Sequence, residues 1–251
     1  MGSAGSLSPA LYPPVSLSGH VLAYASPLRL LGNLDMPWHF TDRSGGFHGL
    51  LRSGVRVNIV QTLLDLSEIS QAIDSSTLRD PTNKSLTLLL DSRAHLMYRL
   101  LNLPTEAEGV LDEDAVRLGE WTEPDRVMQI YGCLRRVSLL YSVHVIFVLP
   151  RLATIRDQLV PDIRATCTWS QDMDLSRAER QMLVWTCMIA AIAVSADDPN
   201  QEEWFAIELR KHASVLNIGT YDELRAVLRL FGWVDAACDS HGQKVWSSAD
   251  T

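Results

Sequence analysis

Residues 182–194 read "MLVWTCMIAAIAV", thirteen positions without a charge. A helix needs about 20 apolar residues to cross a bilayer. Arg180 and Asp197 close this run on either side, so it is too short to span. Just before it stands Ser176-Arg-Ala-Glu179. In that pattern a hydroxyl and a carboxylate each satisfy the other residue's backbone donor at a helix start. A helix that begins there and carries no charge over its later turns has no face suited to water. The stretch predicts a helix buried on all sides, in the middle of an α-helical domain.

The surrounding segments have the same period. "VRVNIVQTLLDLSEISQAID" (55–74) places Val60, Leu63, Leu64 and Ile73 at helical intervals. "SLTLLLDSRAHLMYRLLNLP" (85–104) predicts a second helix, capped near Asn83 or Ser85 and ended by Pro104. A third covers 124–149, with Thr122 as cap, Pro124 in the first turn and Pro150 at its close. "RLATIRDQLVPDIRATC" follows and is read as interrupted at Pro161. Asp198-Pro199 reads as a cap and first-turn proline for a helix over 199–216. Thr220-Tyr-Asp-Glu223 is a second capping box, opening "DELRAVLRLFGWVDAAC".

No segment alternates convincingly as a strand. The expected fold is mainly α, a compact domain of seven or eight helices over 51–251. Residues 1–50, rich in Gly, Ser and Pro, read as an extended N-terminal arm or linker, with Trp38, His39 and Phe40 available to dock it. Residues 105–125 hold eight acidic residues and one basic, which reads as a solvated connection. "MGSAGS" fits the short myristoylation pattern, which also occurs by chance.

The net charge of −8 argues against a nucleic-acid surface. Cys133, Cys167, Cys187 and Cys238 lie too far apart in sequence for a zinc knuckle and read as reduced, buried thiols of an intracellular protein. No metal or cofactor is expected. The glycosylation sequon at Asn83 then has no use. No secretory signal is visible.

Enzyme motifs are missing: there is no phosphate loop, no His-Glu-x-x-His and no nucleophile elbow. Asp91 and His95 lie four apart on one predicted helix face, where a carboxylate could orient an imidazole for proton transfer. A plain helix-face hydrogen bond gives the same spacing. His144, among Val143, Val145 and Ile146, is either a buried acid–base group or a core histidine with one hydrogen bond. Cys187 has no positive neighbour to make its thiol reactive. Five of the seven tryptophans fall in the last third of the chain. Trp185, Trp204 and Trp233 are the candidates to line an apolar ligand pocket, and core packing is the alternative for each.

Four stretches together resemble the regulatory region of fungal zinc-cluster transcription factors, the fungal-specific transcription factor domain. They are "LLLDSRAHLMYRLLNLP" with Arg93 and Leu100-Leu101, and "IYGCLRRVSLLYSVHVIFVLP" with Cys133, Tyr141, Phe147 and Pro150. The third runs "CTW…LVWTCMIAAIAV…EEWFAIEL", with Cys167, Trp169, Trp185, Trp204 and Phe205. The fourth is "LRAVLRLFGWVDAACDSHGQKVW", with Phe231, Trp233, Cys238, Asp239 and Trp246. Leu134 departs from the family's usual Arg, and Ala190 or Ala191 from its usual Gly. The six-cysteine zinc cluster that such factors carry has no counterpart here, so either that module is missing from the gene product or the chain is a fragment. No DNA-contacting or zinc-ligating residue is carried over.

The resemblance implies a regulator-like protein of fungal secondary metabolism, in the nucleus or cytoplasm, acting through a protein partner or an apolar metabolite. A homodimer is a possible assembly, and an exposed apolar helix face would favour it. The alternative is a cofactor-independent biosynthetic enzyme of cyclase or isomerase type on the same scaffold, with Asp91, His95 or His144 moving a proton.

Overall fold

The computed structural model describes residues 46–74, 83–105, 110, 124–147, 152–194 and 198–248. Among them, eight α-helices of nine residues or more follow in order. They are α1 (Val57–Asp74), α2 (Asn83–Leu101), α3 (Pro124–Tyr141), α4 (Leu152–Trp169), α5 (Arg177–Val194), α6 (Pro199–Val215), α7 (Tyr221–Arg229) and α8 (Asp235–Ser248). A helical turn over Gly46–Gly49 and a 3-10 turn over Leu50–Ser53 precede α1. The described residues contain no strand. This is the mainly α architecture expected.

Helix α5 is the axis of the molecule. Every residue from Gln181 to Val194 is buried, because α3, α4, α6, α7, α8 and the Gly46–Gly49 turn all pack against it. Its charge-free sequence is the cause: each large side chain taken out of water contributes about 1.5–3 kcal/mol, and a polar group on any side would face apolar neighbours. Helices α1 and α2 form a layer reached through α3. Arg99 of α2 pairs with Asp65 of α1 and donates to Thr62 Oγ1 at 2.7 Å, which locks these two helices together. No described helix is long and apolar enough to cross a membrane.

The helix starts follow the capping chemistry. Ser176 N donates to Glu179 Oε2 at 2.7 Å, and Glu179 N to Ser176 Oγ at 3.3 Å. Asp198 accepts from Gln201 N, with Pro199 in the first turn. Thr220 and Glu223 close the second box.

Three segments differ from expectation. The stretch opened by Thr220 is two helices and not one, since α7 ends at Arg229 and α8 starts at Asp235. Helix α4 runs through Pro161 instead of breaking there. Pro161 and Asp157 are both exposed, so water can meet the carbonyl that loses its donor. The long helix expected over 124–149 ends at Tyr141 and passes into a π-turn, Ser142–Ile146, closed by Phe147 N donating to Ser142 O at 2.7 Å. Val143, Val145 and Ile146 are β-branched and crowd an α-helical turn. Arg93 of α2 donates to the Ile146 carbonyl and stacks over the Phe147 ring, which holds the turn from outside.

Phe47 and Leu50, placed by sequence at the end of the arm, are fully buried and belong to the core. Gly46 takes a φ of 59° with its Cα against the Leu230 backbone, a position where a Cβ would collide. Residues 1–45, with the docking candidates Trp38, His39 and Phe40, lie outside the described residues. So do Thr122, Pro150 and nearly all of the acidic segment 105–125.

Candidate functional site

Trp185 stands at the centre of α5. Its ring packs edge-on against Phe47 at 5.7 Å, lies nearly parallel to Phe231 at 5.8 Å and is tilted against Tyr141 at 5.8 Å. Its Nε1 donates to Gly232 O at 2.7 Å. Tyr141 donates to Ser70 Oγ at 2.9 Å, and Ser70 in turn donates to Leu66 O. Burial pushes the Tyr141 hydroxyl far above its ordinary pKa. Both polar aromatic atoms are satisfied in the interior, as buried Trp and Tyr require. Trp185 has no solvent-accessible surface here and works as the keystone of the core.

The other two tryptophans sit in different places. Trp233 is buried, and its Nε1 donates to Asp239 Oδ1 at 2.7 Å. The same carboxylate accepts from Tyr221 and from Arg225, which ties α7 to α8. Gly242 of α8 lies against the Trp233 ring and the Tyr221 hydroxyl, closer than a Cβ would allow. Trp204 is half-buried on α6, edge-on to Phe205, with the Arg164 guanidinium 4.6 Å over its ring. The three indoles are thus held by separate partners.

Asp91 is exposed and His95 half-buried on α2. Burial and then Arg99 lower the His95 pKa, the direction opposite to that imposed by a carboxylate partner. His144 is half-buried in the π-turn, and burial, His241 and Arg156 lower its pKa. Arg93 binds this turn, and positions two away on a helix point about 200° round. Asp91 and His95 therefore face away from His144. Asp91 and His95 share one face of α2, and His144 does not join them.

A cleft of about 280 Å³ opens between α4, the end of α5 and the start of α6. Arg156, Asp157, Val160, Pro161, Val194, Asp198 and Gln201 line it, and none of the six sequence candidates is among them. Arg156 and Asp157 pair at 3.0 Å, while Asp198 is occupied in capping α6.

Helix α6 buries a carboxylate and an imidazole one turn apart. Glu208 and His212 are 2 % and 5 % exposed. Lys211 Nζ reaches Glu208 Oε1 at 2.6 Å, but Glu208 Oε2 and His212 Nε2 are buried without a protein hydrogen-bond partner. Burial lowers the His212 pKa; Glu208 opposes this, and Arg180 and Lys211 add to it. The imidazole is held neutral near neutral pH, the state in which it can accept a proton.

The sequence reading passed over this pair although the signal was present. Phe205, Glu208, Leu209, His212 and Ala213 follow the spacing of one helix face. The apolar members of that face place the two polar ones inside.

Three cysteines far apart in sequence also meet. Cys167 Sγ lies 3.9 Å from Cys187 Sγ, and Cys133 hydrogen-bonds Cys167. All four thiols are free and buried. The Cys167 bond and burial push the Cys133 thiol well up, so Cys133 stays protonated and unreactive. The described residues hold no cluster able to bind a metal ion.

No family model, curated protein or solved structure matches the chain.

Proposed function

We propose that this chain is a regulator-like helical domain of fungal secondary metabolism that acts by binding a protein partner or an apolar metabolite, with no direct nucleic-acid contact of its own. One observation carries the reading. Residues from the separate stretches that resemble the fungal regulatory domain pack on one another: Tyr141, Trp185 and Phe231 share an aromatic cluster, and Cys133 touches Cys167. Such a core gives the stretches a common reason to exist as one unit. The separation of His144 from Asp91 and His95 favours binding over catalysis. A ligand can act on a helical body by preferring one of two packings. The net charge of −8 supports a role without DNA contact.

A cyclase- or isomerase-type enzyme on this scaffold is the second reading, and the buried Glu208–His212 pair favours it. Deletion of the gene separates the two. A regulator is expected to change the transcripts of a set of biosynthetic genes. Unchanged transcripts, together with an accumulated intermediate that the purified protein converts, would replace this reading with the enzyme. In that case Glu208→Gln and His212→Gln are expected to abolish the conversion.

A further inference from the structure

The cleft between α4, α5 and α6 stands where a helix rule is broken. An interior proline is the costliest residue an α-helix can hold. It removes one hydrogen bond, and its ring crowds the carbonyl one turn earlier. Helix α4 keeps Pro161 nonetheless. The carbonyl that loses its donor belongs to Asp157, four positions before, and both residues line the cleft. Departures from local rules gather at functional sites, where what the site does offsets their cost. Here the departure opens a main-chain acceptor beside a cavity.

The rest of the lining decides what fits. Val160 and Val194 are buried and give the cleft an apolar floor. Arg156 donates to Asp157 Oδ1 from Nε at 3.1 Å and from Nη2 at 3.0 Å. Among the described residues, no group donates to Asp157 Oδ2. Gln201 donates to both oxygens of Asp198, from its backbone N at 3.1 Å and from Nε2 at 2.7 Å. Two carboxylates against one guanidinium leave the lining with an excess of negative charge. The Asp157 carbonyl and Oδ2 are acceptors with capacity left.

We propose that this cleft binds a small apolar amine in its protonated form. The ammonium donates to the Asp157 carbonyl and carboxylate, and the hydrocarbon body lies on Val160, Val194 and the Pro161 ring. A hydrogen bond between charged partners is about twice as strong as a neutral one. An amine is therefore favoured over the alcohol of the same shape, and a carboxylate is repelled. The volume of about 280 Å³ holds roughly nine non-hydrogen atoms at the packing of liquid water. A ligand of that size is expected to bind with a Kd of about a millimolar. The proposal rests on the metabolite arm of the regulator reading and names its site and ligand class.

Phenethylamine, phenethyl alcohol and hydrocinnamate share one ring and differ in the end group. Each is titrated into the full chain near neutral pH and followed by amide NMR shifts. The amine is expected to saturate at about a millimolar and to bind about fivefold more tightly than the alcohol, with no binding of the carboxylate. Pro161→Ala gives the Asp157 carbonyl a helical donor again. It is expected to weaken the amine about fivefold while the thermal midpoint rises, so that lost binding is not lost folding. Asp157→Asn, at an exposed position, is expected to bring the amine down to the affinity of the alcohol. An amine that does not saturate by about ten millimolar overturns the proposal. So does equal binding of amine and alcohol by the wild type, or an amine affinity that neither variant changes. Amine binding with unchanged transcripts in the deletion strain would keep the site and remove the regulator. Changed transcripts without amine binding would keep the regulator and remove the site.

Discussion

Glu179 holds three parts of the molecule with one carboxylate. It closes the capping box with Ser176, accepts from Ser53 Oγ at 3.2 Å and pairs with Arg126 at the start of α3. Burial pushes its pKa up, but Arg126 and Ser176 outweigh this and hold it below the ordinary carboxylate value. Sequence could assign Glu179 its cap, since the box is local. It could not assign Arg126, 53 residues away. Glu179→Ala removes the carboxylate shared by Arg126, Ser53 and the Ser176 N–H, leaves Arg126 with the Asp174 carbonyl that it also reaches at 2.9 Å, and is expected to cost about 2–4 kcal/mol in chemical denaturation. A loss within the range of a simple cap deletion, about 1 kcal/mol, would show that the Arg126 pair contributes nothing.

At the scale of elements, the helix starts were legible and the interruptions were not. Caps act over three or four residues, so Ser176, Asp198 and Thr220 announce α5, α6 and α7. Pro161 is a strong breaker by local rules, yet α4 continues through it. Val160 and Ile163 are buried on either side of it and hold the helix to its neighbours. Replacing it removes the missing bond and the ring clash, while loosening the unfolded chain. Pro161→Ala is expected to raise stability by about 1–2 kcal/mol in urea or thermal melts. A destabilised variant would mean that the proline shapes a bend the packing uses. The π-turn after Tyr141 escaped prediction because its backbone is fixed partly by Arg93, which comes from another helix.

For the whole molecule, three half-buried or buried histidines set the response to acid. His95, His144 and His212 all have pKa values lowered from 6.5, with burial as the leading cause. Between the lowered and the ordinary values the unfolded chain binds more protons than the folded one. Their contribution is therefore complete above pH 6.5 and is lost as the pH falls through that window. Glu179 and Glu223, lowered from 4.5, withdraw their contributions at still lower pH. Asp74, raised by burial and Asp235, works in the opposite direction. The thermal midpoint is expected to decline between about pH 7 and about pH 5, before the carboxylates titrate. His212→Gln is expected to flatten that slope, and an unchanged slope would remove His212 as a contributor.

The sequence by itself determined the helical class, most helix starts and the burial of "MLVWTCMIAAIAV". Each of these follows from local spacing: the 3.6-residue period, the reach of a cap, the lack of any polar face. Only the tertiary structure decided what the candidate residues do. It made Trp185 a keystone with its Nε1 on Gly232 O, held Trp204 and Trp233 on separate partners and turned Asp91 toward solvent. It also brought Cys133, Cys167 and Cys187 together and buried Glu208 with His212. Those outcomes depend on which helix faces meet. That choice is made by the summed burial of many side chains across the fold, which no single segment records.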